Sequence, residues 1–163
     1  MAFFLFISFV VLLRIAELFL SKKNEKWLLQ NGAVAYGQKH YPYIVALHIL
    51  FFISLLVEYT TQQIHTFSWY MLIFYVVLIG CKIWVVLSLG KYWNTKIYRI
   101  SSVPSIKKGA YKYIKHPNYL IVVLEIALIP LAFHLYYTAI IFSILNALIL
   151  YVRIKEENLI LNN

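Results

Sequence analysis

The chain has 163 residues, of which 63% are hydrophobic and 13% charged, and its formal net charge is +9. Soluble globular domains carry roughly a quarter charged residues, so this composition, with a mean hydropathy of +0.76, excludes that class and indicates an integral membrane protein. The length predicts a single membrane-embedded domain over residues 1–163. The single cysteine, Cys81, excludes an intramolecular disulfide.

Apolar blocks along the chain predict five membrane helices, because the last block is too long for one helix. Pro130 and the polar tip at His134 divide that block into a hairpin of two helices. The second and fourth helices are predicted to be short, at about 22 Å against a hydrocarbon core of about 30 Å. The fold class is therefore all-α integral membrane, with about five transmembrane helices and a C-terminal helix hairpin: Ala2–Leu20, Tyr43–Val57, Phe67–Leu89, Tyr119–Phe133 and Leu135–Val152.

Charged side chains inside these helices need an explanation, since charge within a bilayer is costly. Arg14 and Glu17 are three residues apart on one helical face, so we expect them to neutralise each other near the headgroups. Lys82 lies near the basic end of the third helix and is expected to extend its ammonium group to the interface. Glu125 lies deep in the fourth helix, which predicts that it is protonated or paired with a cation.

Positive charge predicts the orientation, because cytoplasmic loops are enriched in lysine and arginine. The N-terminus is expected outside and the C-terminus inside, with the basic loop of residues 90–118 in the cytoplasm against the membrane surface. The charge is interpreted as a topology signal and an attraction to membrane lipid, and no nucleic acid partner is expected. The residues in question are Lys22, Lys23, Lys26, Lys39, Lys91, Lys96, Arg99, Lys107, Lys108, Lys112, Lys115, Arg153 and Lys155.

The segment where the basic loop meets the fourth helix has an unusual sequence. Gly109 gives backbone freedom, and Pro117 suits the first turn of a helix whose free amides favour anions, with His116 beside them. The run GAYKYIKHPNYL at 109–120 resembles the G-P-Y-R-x-x-R-H-P-x-Y motif of the isoprenylcysteine carboxyl methyltransferase family. The run RIKEE at 153–157 resembles that family's R-I-x-x-E-E ending. In size and layout the chain is similar to the family's short bacterial branch.

This resemblance implies a methyltransferase of the bacterial cytoplasmic membrane that transfers a methyl group from S-adenosylmethionine to an oxygen of a lipophilic small-molecule acceptor. Residues 119–163 then form the hairpin and a cofactor-binding tail, since no Rossmann glycine motif is present. The implied cofactor-binding residues are His116, Tyr119, Arg153, Glu156 and Glu157, and the catalytic candidates are His116, Glu125 and Arg153.

Two points about these residues stay open in the sequence. Arg153 could pair with Glu156 or Glu157 merely as a salt bridge that caps the last helix. An acceptor carboxylate needs no base, whereas an enol or phenol could lose its proton to His116 or Glu125. The acceptor's identity and the oligomeric state are also undetermined.

Two other function classes fit parts of the sequence. A membrane reductase that uses NADPH can carry a similar histidine-proline-tyrosine stretch near a terminal hairpin. A non-enzymatic scaffold or lipid-binding protein would use its intramembrane charges only for helix packing. No metal is expected, because the remaining histidines lack the spacing of metal ligands: His40, His48, His65 and His134.

Overall fold

The computed structural model describes residues 1–63, 66–104 and 106–162 and contains five helices in that part of the chain. This confirms the predicted all-α membrane fold. The helices are α1 (Ala2–Gln30), α2 (Tyr41–Thr61), α3 (Trp69–Leu89), α4 (Pro117–Leu131) and α5 (Tyr136–Asn162). Residues 64 and 65, and with them His65, lie outside the described residues.

Several predicted helix ends were wrong. α1 continues ten residues past Leu20 to Gln30, so Lys22, Lys23 and Lys26 lie on the helix and not in a loop. α2 has 21 residues and is not short. α5 runs past Val152 to Asn162, so the RIKEE run is helical. Hydropathy marks the apolar stretch, whereas lysine, glutamate and glutamine are also good helix formers and extend the helix beyond it.

The length and surface of the helices are those of a membrane protein. Among the described residues, α1, α2, α3 with the turn that follows it, and α5 are long and apolar enough to cross a bilayer. α4 has 15 residues, about 22 Å, which confirms the predicted short fourth helix. Large apolar side chains on α3 are exposed, as expected for a helix that faces lipid: Ile73, Phe74, Val76, Val77, Ile83, Trp84 and Leu87.

α4 and α5 form the predicted hairpin, and α4 packs between α3 and α5. The connection folds back tightly, since Pro130 O accepts the amide hydrogens of Phe133 and Leu135, each at 3.0 Å. Glu58 of α2 accepts the Tyr137 and Thr138 amides at 3.0 and 2.7 Å. A carboxylate at a helix N-terminus satisfies free amides and complements the helix dipole, so this contact holds the N-terminus of α5 against α2.

The segment between α3 and α4 is structured. It contains 3-10 turns at Gly90–Tyr92 and Gly109–Lys112 and the strand β2, Ile97–Arg99, which pairs antiparallel with β1, Val34–Tyr36. The sequence did not predict this small sheet.

Two polar side chains of α1 hold the start of that segment. Ser21 Oγ donates to Asn94 Oδ1 at 3.0 Å, and Asn24 Nδ2 donates to Trp93 O at 2.7 Å. Ser21 and Asn24 are both buried. α1 therefore determines where residues 93–95 lie.

Candidate functional site

The start of α4 and the end of α5 meet at one end of the bundle because the hairpin is antiparallel. Pro117 occupies the first turn of α4, which leaves His116 at the N-cap and puts Tyr119 on the first turn. Arg153 and Glu157 are four residues apart on α5 and so lie on one face of that helix. His116 and Tyr119 therefore contact the last turns of α5.

A continuous hydrogen-bonded chain joins these residues. Arg153 Nε donates to Tyr119 Oη at 2.8 Å, and Tyr119 Oη donates to Glu157 Oε2 at 2.6 Å. His116 Nδ1 lies 3.3 Å from the same Glu157 oxygen, and its Nε2 lies 3.1 Å from Asn158 Oδ1. The guanidinium also lies over the Tyr119 ring, 5.3 Å from its centroid. The four side chains form one connected polar group.

Two polar atoms of this group are uncommitted. Arg153 Nη2 donates to the carbonyl of Thr95, a residue held in place from α1 through Ser21. Within the described part of the chain, Arg153 Nη1 and Glu157 Oε1 make no hydrogen bond. A charged donor and a charged acceptor on two residues that line the same cavity are therefore free to bind a ligand that carries both charges.

The surroundings of His116 favour its protonated form. Hydrogen bonding to the Glu157 carboxylate, followed by burial acting in the other direction and then by the negative charge of Glu157, gives a net rise in the pKa of His116. Both ring nitrogens face oxygen atoms, which suits an imidazolium with two N–H donors. When protonated, His116 is thus arranged to donate a hydrogen from each ring nitrogen.

A cavity of about 840 Å³ opens beside this group. Ligand sites typically measure about 300–1,000 Å³, so the space is large enough for a nucleoside-sized ligand with room to spare. His116, Tyr119, Arg153 and Glu157 line one side of it. The segment 97–115 supplies most of the rest, including Tyr98, Tyr111, Tyr113, Arg99, Lys107, Lys112 and Lys115. Among the described lining residues the basic ones outnumber the carboxylates, of which there is one, Glu157.

Glu156 faces a different direction from its neighbour. Successive helical residues differ by about 100° around the axis, and Glu156 Oε2 lies 3.1 Å from His40 Nδ1, without the geometry of a hydrogen bond. Gly37 lies against the same oxygen, and a Cβ there would be 2.8 Å from it. Glu156 is not among the described residues that line the cavity, so the structure does not bring it together with the four residues above.

Glu125 lies away from the cavity in a second polar group, which we call the charge ring: Arg14, Glu17, Lys82 and Glu125. Arg14 Nη2 lies 2.6 Å from Glu125 Oε2, and Lys82 Nζ lies 2.9 Å from Glu125 Oε1. Arg14 Nη1 and Glu17 Oε2 are 3.0 Å apart, and Lys82 Nζ also contacts Glu17. The structure thus separates Glu125 from the other predicted site residues.

Two expectations for intramembrane charges change accordingly. The Arg14–Glu17 pair is present, but both residues also bind partners on other helices. The expectation that Lys82 extends to the interface was wrong, because only 7% of the residue is exposed. A buried ammonium group needs paired negative charges, and Glu17 and Glu125 provide them here.

Sequence reasoning missed Thr95, Asn158 and the α1 residue Ser21, which holds Thr95 in place. Asn158 directly follows the RIKEE run, and the helical extension of α5 is the signal that could have included it. Nothing in the local sequence marks Thr95, whose carbonyl becomes a partner of Arg153 only through tertiary structure. Within the described ranges no three histidine, cysteine or carboxylate side chains are grouped to hold a metal ion.

Comparison with known proteins places the chain in a family. Residues 70–163, more than half of the chain, match the family model described as isoprenylcysteine carboxyl methyltransferase (ICMT) family. The chain belongs to this family. The matched part contains α3, α4, α5 and all the residues of the hydrogen-bonded chain. The protein is therefore an integral membrane member of a methyltransferase family.

Relatives extend the similarity to the N-terminal helices. The chain is 44% identical over 158 residues to the uncharacterized protein YpbQ of Bacillus subtilis, covering 96% of this chain and 94% of the relative. It is 28% identical over 151 residues to an uncharacterized protein of Haemophilus influenzae, covering 91% and 88%. No solved structure matches the chain.

Proposed function

We propose that this member of the ICMT family is an S-adenosylmethionine-dependent methyltransferase that methylates an oxygen of a lipophilic acceptor in the membrane. The observation that carries the proposal is the pair of uncommitted atoms, Arg153 Nη1 and Glu157 Oε1, at the wall of the 840 Å³ cavity. The amino-acid part of S-adenosylmethionine offers a carboxylate and an ammonium group on one carbon atom.

The residues present fit this donor. Arg153 is suited to hold the donor's carboxylate, since guanidinium groups bind carboxylates with good geometry. Glu157 is suited to hold the ammonium group, and Tyr119 and His116 keep its other oxygen in place. The aromatic side chains of the cavity wall, Tyr98 and Tyr111, offer surfaces for an adenine ring. When bound, the donor supplies an electrophilic methyl group on a sulfonium.

The same geometry supports an acceptor oxygen that is ionised before it arrives. Nδ1 of His116 faces the Glu157 carboxylate and Nε2 faces Asn158 Oδ1, so neither ring nitrogen is free to take a proton from an acceptor. Glu125 lies outside the cavity, and both of its oxygens contact cations. With neither predicted base available, we expect a carboxylate, or an enol or phenol acidic enough to ionise near neutral pH. Lys112 and Lys115 at the cavity wall can hold such an anion.

Alignment and exclusion of water then account for the chemistry that the chain itself must supply. A methyl group transferred to an anionic oxygen leaves no proton to be moved. The apolar wall residues, among them Ile100, Val103 and Ile114, suit the acceptor's hydrocarbon part. We place this end of the bundle at the cytoplasmic face, with the N-terminus outside, because lysines and arginines concentrate there.

Donor binding to the purified protein in detergent tests the proposal. We expect tritiated S-adenosylmethionine to bind, and Arg153→Gln and Glu157→Gln each to raise its Kd at least tenfold. Lys155→Gln is the matched control, because Lys155 is an exposed cation on the same helix and outside the cavity lining; its Kd should stay within twofold of wild type. Circular dichroism checks that helix content is unchanged in each variant.

The alternatives predict different results. The basic cavity wall could also hold the phosphates of NADPH, so binding of NADPH without S-adenosylmethionine would favour a reductase. Binding of neither would favour a scaffold or lipid-binding protein. Activity is sought by mass spectrometry of lipid extracts incubated with protein and donor, where one lipid should gain the mass of a CH2 group.

A further inference from the structure

The charge ring is a closed circuit of alternating charges contributed by three helices. Arg14 and Glu17 come from α1, Lys82 from α3 and Glu125 from α4. Each carboxylate contacts both cations, and each cation contacts both carboxylates. Two positive and two negative charges leave the ring neutral, which is the arrangement that an apolar bundle tolerates.

The ring is buried at its α4 member, where Glu125 is 2% exposed. Removing one partner from such a group leaves an uncompensated charge inside the bundle, and this is far more disruptive than removing a balanced pair. Arg14 and Glu125 are 111 residues apart in the chain. The ring therefore links the N-terminal helix directly to the helix that carries His116 and Tyr119.

α4 needs such a link more than the other helices do. Its 15 residues, about 22 Å, are too few to match a hydrocarbon core of about 30 Å. Hydrophobic matching defines the depth of the four longer helices in the membrane, but it does not define the depth of α4. Apolar contacts with α3 and α5 are non-directional, whereas the ring's ion pairs have defined distances and directions.

Depth and rotation of α4 decide whether the site exists. Tyr119 lies six residues before Glu125 on the same helix, about 9 Å along its axis. A turn or slide of α4 that moves Glu125 away from Lys82 also moves Tyr119 Oη away from its 2.6 Å contact with Glu157. The two polar groups are thus mechanically coupled through one short, rigid helix.

We infer that Glu125 is a positioning residue: through the charge ring it fixes the depth and rotation of α4 and so places Tyr119 and His116 at the donor end of the cavity. This inference rests on the proposed function. It gives Glu125 a role different from the catalytic one that the sequence suggested.

The test compares donor affinity with donor capacity, meaning the number of donor molecules bound per protein at saturation. The double variant Lys82→Gln/Glu125→Gln keeps the ring neutral, so it preserves folding while removing the ionic link to α4. We expect it to raise the Kd for tritiated S-adenosylmethionine at least tenfold with nearly full capacity. Glu125→Gln alone should raise the Kd similarly and also lower capacity, since it leaves a buried positive charge.

Two results would overturn the inference. Reduced capacity with an unchanged Kd in the double variant would show that the ring only stabilises the fold. Unchanged Kd and capacity, with slower methyl transfer into lipid extract, would show that Glu125 acts in the chemistry. Lys23→Gln removes an exposed lysine of α1 and is the control, expected to change neither quantity.

A second readout separates this inference from the proposed function. Cysteines replacing His116 and Asn158, which are in contact, are joined by a short thiol cross-linker in a Cys81→Ser background. We expect the yield to fall at least threefold when Lys82→Gln/Glu125→Gln is added, and an unchanged yield would overturn the inference. If the wild type binds no donor, the proposed function fails, and the cross-link alone decides whether the ring positions α4.

Discussion

Gly109 is the position where the structure predicts the sharpest effect of a single methyl group. Its φ is +56°, a conformation that other residues adopt only at a cost. A Cβ at this position would overlap the Ser88 hydroxyl and lie 2.8 Å from Ser88 Cβ. Ser88 cannot simply move aside, because its Oγ donates to Trp84 O at 2.7 Å and accepts the Ala110 amide at 3.1 Å. We therefore expect Gly109→Ala to destabilise the protein markedly.

The size of the effect follows from two contributions. Placing an L-residue in the left-handed region costs about 1–2 kcal/mol, and forcing extra atoms into a packed contact costs about 1–3 kcal/mol. Gly109→Ala should therefore lower the free energy of unfolding by about 2–5 kcal/mol. The 3-10 turn at Gly109–Lys112 brings Tyr111 to the cavity, so donor affinity should fall as well.

Equilibrium unfolding in mixed detergent, followed by circular dichroism, measures this change. A double-mutant cycle with Ser88→Gly separates the contributions, since the overlap disappears while the backbone cost remains. We expect a coupling free energy of about 1–3 kcal/mol. Gly80→Ala is the matched control: Gly80 is helical, a Cβ added there would meet no atom within 4 Å, and the change should be neutral or slightly stabilising. A coupling near zero, or equal effects at Gly80 and Gly109, would refute the reasoning.

Three further predictions concern the site. Tyr119→Phe removes the hydroxyl that bridges Arg153 and Glu157. One charge-assisted hydrogen bond is worth about 1.5–3 kcal/mol, so the donor Kd should rise roughly tenfold or more in the same binding assay. A change below twofold would contradict this prediction. The pKa of His116 is raised in the folded state, so its protonation stabilises the fold fully below about pH 6.5. This stabilisation is lost as the pH rises through the raised pKa. Melting temperatures measured from pH 6 to 9 should show this decline, and His116→Gln should abolish it. Gly37 has a φ of +62°, and a Cβ there would lie 2.8 Å from an oxygen at the flexible end of Glu156. Gly37→Ala should therefore lower stability by about 1–2 kcal/mol, mainly through the backbone, with little change in donor Kd. A rise as large as that of Glu157→Gln would instead support donor binding by Glu156.

Much of the fold could be predicted from the sequence. Transfer of side chains into a bilayer is nearly additive along the chain, so hydropathy located the apolar blocks. Pro130 and the polar tip at His134 then divided the last block into the hairpin, which gives the five helices observed. Helix ends such as Gln30 and Asn162 could not be found this way, because polar helix formers continue a helix beyond its apolar part.

The candidate site was predicted in part. The structure brings together His116, Tyr119, Arg153 and Glu157, four residues that the two motifs indicated. It separates Glu156, because sequence does not reveal which of two adjacent helical residues faces a cavity. The roles of all these residues stay predictions until donor binding is measured.

Sequence by itself determined that the chain is a membrane protein, how many helices it forms and which segments form the candidate site, since each of these depends on local composition or short motifs. Only the tertiary structure decided which charges on different helices pair. Arg14, Lys82 and Glu125 are far apart in the chain and each could have been neutralised locally or at the interface. Their closure into one ring depends on the relative depth and rotation of three helices, and no local pattern encodes that geometry.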